Sequence, residues 1–162
     1  MEDIRWKQRY DNLAKAFQRL SQAIKGFDYQ RYTELRVKEE NNILGDDQIT
    51  DLNELDLMRE GIVQRFEYTY ELFINTLRDL LIYNGTPSEG VNSPRQVLQY
   101  ALNAGWVDDH DGWRSMMKSR NLTSHTYDQA TADLISRQIH EEYELLMNQL
   151  FEKLTDEYNQ KN

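Results

Sequence analysis

Apolar residues recur along this chain at steps of three and four positions, which is the period of an amphipathic α-helix. No segment alternates apolar and polar residues with the period of two that predicts a strand. The first apolar stripe consists of Trp6, Tyr10, Leu13, Phe17, Leu20 and Ile24. It predicts a helix of about six turns that ends near Gly26.

Residues 27–50 interrupt this pattern. The segment contains the aromatic residues Tyr29 and Tyr32, followed by the turn-prone residues Asn41-Asn42 and Gly45. Asparagine and glycine tolerate the backbone conformations that turns require. We therefore predict a partly helical insertion that leads into a loop.

A second apolar stripe is longer and predicts the spine of the fold. Its members are Leu55, Met58, Ile62, Phe66, Tyr70, Phe73, Leu77 and Leu80. Thr50 or Asp51 can cap the start of this helix, which we expect to run to Tyr83. Asn84-Gly85, followed closely by Pro87, then ends it.

Three more helices complete the pattern. Ser93, Pro94 and Gln96 form a capping box with proline at the first helical position, which predicts a short helix that closes at Gly105. A fourth helix, which we expect to be anchored by Trp113, and a long last helix follow it. The buried stripe of the last helix would be Ile135, Ile139, Tyr143, Leu146, Leu150 and Leu154.

The boundaries of these two helices are predicted from polar residues. Asp109 or Asp111 can cap the fourth helix, which runs to about Arg120. The last helix begins around Thr131. Residues 155–162 are polar, and we expect them to fray.

Together these elements predict a single all-α domain over residues 1–162. We expect an antiparallel helical bundle of three long and two short helices around a four-helix up-and-down core. The chain has no cysteine, which excludes disulfides, thiolate catalysis and cysteine zinc sites. The start of the chain carries mixed charge, and no apolar run approaches the roughly 20 residues of a membrane span. We therefore expect a cytoplasmic protein.

The charge pattern singles out one stretch. The chain has 19 basic and 28 acidic residues and a net charge of −9, which argues against extended DNA or RNA binding by bulk electrostatics. Between Gly112 and Tyr127, however, there are three basic residues, Arg114, Lys118 and Arg120, and no acidic one. A local phosphate site is compatible with the net charge, because about 0.1 M salt screens exposed charges beyond roughly 10 Å.

Arg120 and His125 carry the groups best suited to phosphate chemistry. Arginine is a permanent cation with a planar donor fork, and histidine titrates near neutral pH. Five residues of an ideal helix turn through about 500°, so these two side chains point about 140° apart. Either the helix loosens after Asn121, or a second copy of the chain completes the site. Asn121, Lys118 and Arg114 are the further predicted substrate-binding residues.

Spacing alone leaves a purely structural interpretation open. His125 can cap the last carbonyls of a helix, and Arg120 can pair with Asp128 or Asp111. The run of residues 108–111 has the composition of a metal site, but acidic residues also suit a helix start, and we predict no metal and no cofactor. The chain has no glycine-rich phosphate loop, so we do not expect it to transfer nucleotides itself.

The stretch Arg120-Asn121-Leu122-Thr123-Ser124-His125-Thr126-Tyr127 resembles the motif of the HEPN superfamily, an arginine, four residues, a histidine, any residue and a tyrosine. The resemblance extends to residues 64–72 and 76–81, Asn84-Gly85, Ser93-Pro94-Arg95 and Trp113. This set is similar to the nucleotidyltransferase substrate-binding branch, the toxin partners of minimal nucleotidyltransferase antitoxins. It covers residues 60–154, and Asn75 stands where the branch usually has a lysine.

This resemblance implies a homodimeric helical bundle and, in many members, metal-independent RNA cleavage in a cleft made by both copies of the motif. Arg120 would hold the scissile phosphate, and His125 would move protons as general acid and base. Asn121 would orient the histidine or the phosphate. Tyr127 resembles the hydroxyl that a separate small nucleotidyltransferase, the antitoxin, modifies with AMP. The alternative function is a non-catalytic subunit that binds substrate or nucleotide for that partner.

Overall fold

The computed structural model describes residues 2–125 and 127–160. This part of the chain contains no strand, which confirms the all-α prediction. Its seven α-helices are α1 (Glu2–Gly26), α2 (Tyr29–Glu40), α3 (Asp46–Tyr83), α4 (Pro94–Asn103), α5 (His110–Leu122), α6 (Gln129–Gln138) and α7 (Glu144–Gln160). Two 3₁₀ turns, Ser88–Val91 and Thr123–His125, connect neighbouring helices, and a π-turn, Ile139–Tyr143, joins α6 to α7. Within those residues no helix is both long and apolar enough to cross a bilayer.

The bundle is built on three long helical runs. These are α1, α3 and the continuous run of α6, the π-turn and α7, while α4 and α5 are the two predicted short helices. The apolar stripes of these helices meet in one core, whose largest fully buried side chains include Trp6, Trp113, Tyr143, Phe66 and Phe73. Burial of each such side chain contributes roughly 1.5–3 kcal/mol, so the core supplies the main stabilisation of the fold.

The segment of residues 27–50 consists of a helix, a short loop and the first turn of α3. Most of it is helix α2, which begins after Asp28, whose side chain accepts a hydrogen bond from the backbone N–H of Arg31 at 2.9 Å. The side chains of Tyr32 and Leu35 are buried against the bundle. These two residues make the segment part of the core, and the loop is limited to residues 41–45.

Helix α3 also begins one turn earlier than predicted. Its first residue is Asp46, whereas Thr50 or Asp51 was the predicted cap. The side-chain oxygen of Gln48 accepts a hydrogen bond from the backbone N–H of Gly45 at 3.0 Å. This bond and the two acidic residues of the first turn stabilise the helix start, because carboxylates favour the positive end of the helix dipole.

The predicted fraying of residues 155–162 is wrong for the part of this tail that is described. Helix α7 continues to Gln160. The hydroxyl groups of Thr155 and Tyr10 are 2.8 Å apart, and the Tyr158 ring stacks on the Tyr10 ring with centroids 4.3 Å apart. The last turns are thus fixed to α1 by contacts that a polar composition does not reveal. Residues 161–162 lie outside the described residues.

Several predicted boundaries are confirmed. Ser93 accepts from the backbone N–H of Gln96 at 3.2 Å, as the capping box requires. Gly85 and Gly105 follow α3 and α4 with φ of 107° and 83°, a conformation that glycine adopts without steric cost. Asp109, and not Asp111, is the cap of α5.

Helix α5, which carries the basic stretch, is anchored at several points. Trp113 is buried and its ring meets the Phe73 ring edge-on at 5.6 Å. The Tyr143 hydroxyl, in the π-turn, lies 2.9 Å from the Ser115 hydroxyl and 2.7 Å from that of Ser119. A π-turn widens the helix by one residue and is often found at functional sites. Here it places a tyrosine hydroxyl between two serines of α5 and fixes the rotation of that helix.

Candidate functional site

The last turn of α5 changes its geometry within the motif. The α-helix ends at Leu122, and a 3₁₀ turn covers Thr123–His125. The Thr123 hydroxyl donates to the carbonyl of Arg120 at 2.7 Å. A 3₁₀ turn has about 120° per residue, so the α-helix does not continue to His125 and the separation of about 140° expected on a straight helix does not apply.

Arg120 extends from α5 towards α3. Its Nη2 forms ion pairs with Glu71 and, at 3.4 Å, with Glu67, while Nη1 donates to the Thr123 hydroxyl at 3.4 Å. The guanidinium Nε is buried and has no hydrogen-bond partner within the described residues. The arginine is therefore held in place by its two terminal nitrogens, while its Nε–H donates to no acceptor among these residues.

The partners of Arg120 differ from those predicted. Neither Asp111 nor Asp128 pairs with it in the described structure, and Asp128 instead accepts a hydrogen bond from the Thr131 hydroxyl at 2.7 Å. That bond lowers the pKa of the Asp128 carboxyl from its ordinary value. The stretch of α5 has only basic charges in the sequence. In the fold, its site contains charges of both signs, because α3 places two carboxylates next to Arg120.

His125 is the last residue of the 3₁₀ turn that follows α5. Its side chain is exposed, and its ring contacts the Tyr127 ring edge-on with centroids 6.1 Å apart. Within the described residues it forms no hydrogen bond with Arg120, and Thr123, not His125, is the cap of α5. Tyr127 is 86% exposed. Thr126, which separates them, lies outside the described residues.

A cleft of about 310 Å³ opens beside Arg120. Its lining residues are Tyr70, Glu71, Ile74, Asn75, Pro94, Met117, Arg120 and Asn121. The structure thus brings the predicted residue Asn121 together with Arg120, whereas Lys118, which is exposed, and Arg114, which is half-buried, do not line the cleft.

Tyr70 is one of the residues that line this cleft. The residue is 3% exposed, and its hydroxyl is buried without a hydrogen-bond partner. Burial raises the pKa of the Tyr70 hydroxyl, Arg120 lowers it by a smaller amount, and Glu71 raises it further. The phenol therefore stays protonated at neutral pH and can both donate and accept a hydrogen bond.

The family to which the chain belongs is shown by comparison with known proteins. The model of a family described as nucleotidyltransferase substrate binding protein like matches residues 8–156. The chain belongs to this family. The match confirms the predicted branch and extends it to α1, whose resemblance rested on the apolar stripe alone.

A named relative and a solved structure, both from Haemophilus influenzae, are similar to this family member. The chain is 34% identical over 86 residues to the relative named "Probable ribonuclease HepT", which covers 52% of this chain and 59% of that protein. The chain thus spans less than two thirds of that relative. A solved structure, described as revealing the fold of a substrate binding domain of a nucleotidyltransferase, superimposes with a TM-score of 0.71 at 25% identity and covers 90% of this chain and 98% of that chain.

The resemblance covers residues 64–72 of α3, but it assigned no site role to Glu67 or Glu71. Glu67, Glu71 and Asn75 are four residues apart and form a polar row beside the apolar stripe of α3, a spacing that places them on one face. The spacing of this row could have indicated a polar face of α3. In the fold, Glu67 and Glu71 pair with Arg120, and Asn75 lines the cleft. Tyr70 was assigned to the core, which is correct for its ring but not for its unpartnered hydroxyl.

Two further observations concern the other histidines and metal binding. His140 is half-buried and stacks on Tyr29 with centroids 4.8 Å apart. Its Nδ1 lies 2.8 Å from the carbonyl of Ser136. Throughout residues 2–125 and 127–160, no three His, Asp or Glu side chains are arranged to hold a metal ion.

Proposed function

We propose that this family member is a metal-independent endoribonuclease of the HEPN type, with Arg120 and His125 as catalytic residues. The observation that carries the proposal is the chemistry at the end of α5. There, an arginine held by ion pairs, whose side chain is 25% exposed, and an exposed histidine lie within one short stretch. The relative named "Probable ribonuclease HepT" supports the same activity. The proposed setting is the cytoplasm.

The proposed reaction is attack by a ribose 2′ oxygen on the adjacent phosphorus. The new P–O2′ bond forms as the P–O5′ bond breaks, which leaves a 2′,3′-cyclic phosphate and a 5′ hydroxyl. His125 would take the proton of the 2′ hydroxyl or supply the proton that the leaving 5′ oxygen needs. Arg120 would donate to the non-bridging phosphate oxygens, whose negative charge increases in the transition state.

The working unit that we propose is a homodimer. Within one chain, Arg120 pairs with Glu71 and Glu67 of α3 while His125 is exposed in the turn after α5, and we propose that one phosphate is held between the motifs of two copies. A two-fold axis beside α5 would place the His125 of one copy near the Arg120 of the other. Leu122, which is 42% exposed, supplies apolar surface next to the motif for such a contact.

Regulation by a separate small nucleotidyltransferase is part of the proposal. Its target would be the hydroxyl of Tyr127, whose side chain is almost fully exposed. Transfer of AMP would add bulk and a phosphodiester charge next to His125, whose ring is 6.1 Å from the Tyr127 ring. That charge would repel the RNA backbone. The partner would thus act as the antitoxin of this chain.

The test is cleavage of a defined RNA by purified protein in EDTA. His125→Ala is expected to lower the rate at least about a hundredfold, the contribution of a general acid or base. Arg120→Ala is expected to lower it by a similar factor, because a phosphate-stabilising donor is lost. His110→Ala and Arg5→Ala remove the same side-chain types from the start of α5 and from α1, and they should leave the rate unchanged.

The proposal fails if unmodified wild type, with Tyr127 confirmed free by mass spectrometry, leaves RNA as intact as His125→Ala does. A rate that disappears in EDTA would contradict the metal-independent mechanism. Loss of activity in His110→Ala as well would indicate a general effect on folding.

One observation favours a second function, a non-catalytic subunit that binds substrate or nucleotide for a nucleotidyltransferase. In the free chain, Glu67 and Glu71 already occupy Arg120 beside a cleft of ligand size. In that case Arg120→Ala should weaken nucleotide binding or the activity of the partner enzyme. Wild type should then leave RNA intact and cause no growth defect when it is expressed alone.

A further inference from the structure

The hydroxyl of Tyr70 and the Nε of Arg120 are the two buried polar groups in the lining of the cleft that have no hydrogen-bond partner within the described residues. Tyr70 is 3% exposed. A buried polar group without a partner costs about 1–3 kcal/mol, so a ligand group that bonds to the hydroxyl would offset that cost. Glu71 and Arg120 line the same cleft and add charged groups to it.

The other lining residues of the cleft indicate which kind of ligand could form a hydrogen bond with the Tyr70 hydroxyl. Asn75 from α3 and Asn121 from α5 add two amide side chains, each with donor and acceptor groups. Ile74, Met117 and Pro94 add apolar surface. The cleft therefore combines neutral groups that both donate and accept with apolar walls.

This chemistry fits a flat, neutral ligand better than a second phosphate. The one cation of the cleft, Arg120, is already paired with Glu71, which also lines the cleft, and with Glu67. A nucleobase presents mixed donors and acceptors along its edge and an apolar face above and below, which matches the amides and the apolar walls. A volume of about 310 Å³ lies at the lower end of small-ligand sites.

We propose that the cleft of Tyr70, Asn75 and Asn121 binds a nucleobase and that these residues determine base preference. The base comes from one of two sources, a nucleotide of the RNA next to the phosphate held by Arg120, or a free nucleotide. The RNA source rests on the proposed ribonuclease function, whereas the binding of a base does not. For the RNA source, Tyr70 and Asn75 set the position at which the chain is cut.

The test measures binding and cleavage separately. Wild-type protein is titrated with AMP, GMP, CMP, UMP and the base-free ribose 5-phosphate in a calorimeter. A second series uses short RNAs that differ in one base and carry a 2′-deoxy sugar at the scissile position, which prevents cleavage. A third series maps the cut sites on unmodified RNA of the same sequences.

Tyr70→Phe and Asn75→Ala are the informative variants. Tyr70→Phe removes only the hydroxyl, so it should weaken binding of the preferred base about fivefold while it leaves thermal stability unchanged or higher. Asn75→Ala should reduce the preference between bases by a similar factor. Tyr68→Phe, an exposed tyrosine two residues away on α3, and Asn12→Ala on α1 are matched controls that should have no effect.

Each outcome decides a different point. Preference for one base among the mononucleotides, over ribose 5-phosphate, supports a free nucleotide as the source, and preference only among the RNAs supports the RNA. Base-dependent binding without any cleavage keeps the cleft and removes the ribonuclease function. Cleavage without base discrimination in any series overturns the cleft proposal alone, and so does discrimination that survives both Tyr70→Phe and Asn75→Ala.

Discussion

Two arginines in this fold hold helices together in different ways, and they differ in how far solvent reaches their side chains. Arg59 of α3 is 5% exposed at the junction of α2, α3 and α6. Its Nη1 donates to the Tyr32 hydroxyl at 2.9 Å and to Asp133 at 3.3 Å. Arg120 also links two helices, α5 and α3, but its side chain is 25% exposed and its partners Glu67 and Glu71 are 39% and 52% exposed.

The exposure of the arginine itself distinguishes the two sites, because Asp133, at 43%, is as exposed as Glu67. Tyr32 donates to Asp133 at 3.0 Å, and Gln129 donates to the same carboxylate at 2.7 Å, so Arg59 belongs to a network whose members support one another. In the proposed function a phosphate would displace the partly hydrated carboxylates from Arg120 at low cost, whereas the nearly enclosed Arg59 borders a cavity of only about 100 Å³.

The largest expected effect is on stability at Arg59. Arg59→Ala should lower the free energy of unfolding by about 3 kcal/mol, because it removes a buried donor from Tyr32 and Asp133 and leaves a void between three helices. Arg59→Met keeps the apolar stem and should lose less. Urea denaturation followed by circular dichroism measures both values.

Arg120→Ala is the matched measurement at the other arginine. Its ion pairs are solvated, so the loss in unfolding free energy should stay below about 1 kcal/mol. Equal losses in Arg59→Ala and Arg120→Ala would contradict the distinction between a structural and a functional arginine. They would favour the interpretation of the motif as a helix anchor.

The apolar period of the sequence was sufficient to predict most helices, because core burial dominates where they form. The stripe from Trp6 to Ile24 predicts α1, and Asn84-Gly85 predicts the end of α3. Partial helix was predicted for residues 27–50, but the contacts that hold α2 and the tail against the bundle were not, since they are long-range contacts such as Tyr32 with Asp133 and Tyr10 with Tyr158. A polar segment becomes ordered when such a partner exists, and a local pattern does not show the partner.

The candidate site was predictable on one side only. Arg120, Asn121 and His125 lie in one continuous stretch and resemble a known motif, so the sequence alone indicates them. Glu71 and Asn75 reach the cleft from another helix, and their place beside Arg120 depends on the rotation of α5. Contacts of the Tyr143 hydroxyl with α5 fix that rotation. They depend on a π-turn, which the apolar period of the sequence does not distinguish from an α-helix.

A smaller effect is expected for Tyr32, which supports the Arg59 network. Burial, in the first place, raises the pKa of Tyr32 to about 12, compared with about 10 in an unfolded chain. The protonated form is therefore favoured by the fold, and its stabilisation is complete below about pH 10 and is lost between about pH 10 and 12. Unfolding free energies measured across this range should fall more steeply for wild type than for Tyr32→Phe.

The same variant can be compared with Tyr70→Phe at neutral pH. Tyr32→Phe removes a hydroxyl with partners and should cost about 1–2 kcal/mol, whereas Tyr70→Phe removes one without partners and should cost nothing. If Tyr32→Phe showed the same alkaline slope as wild type, another group would have to account for the loss of stability.

The smallest expected effect is on RNA affinity, and it tests whether the carboxylates compete with phosphate for Arg120. Glu71→Gln keeps the size of the side chain and removes its charge, so it should release the guanidinium at little cost in stability, since the pair is exposed. RNA binding, measured by fluorescence polarisation, should strengthen about threefold at low salt and less at higher salt. Glu54→Gln makes the same charge change at an exposed position of α3 and should have a smaller effect. Equal gains in both variants would indicate net charge alone, and weaker binding in Glu71→Gln would mean that Glu71 positions Arg120 for its ligand.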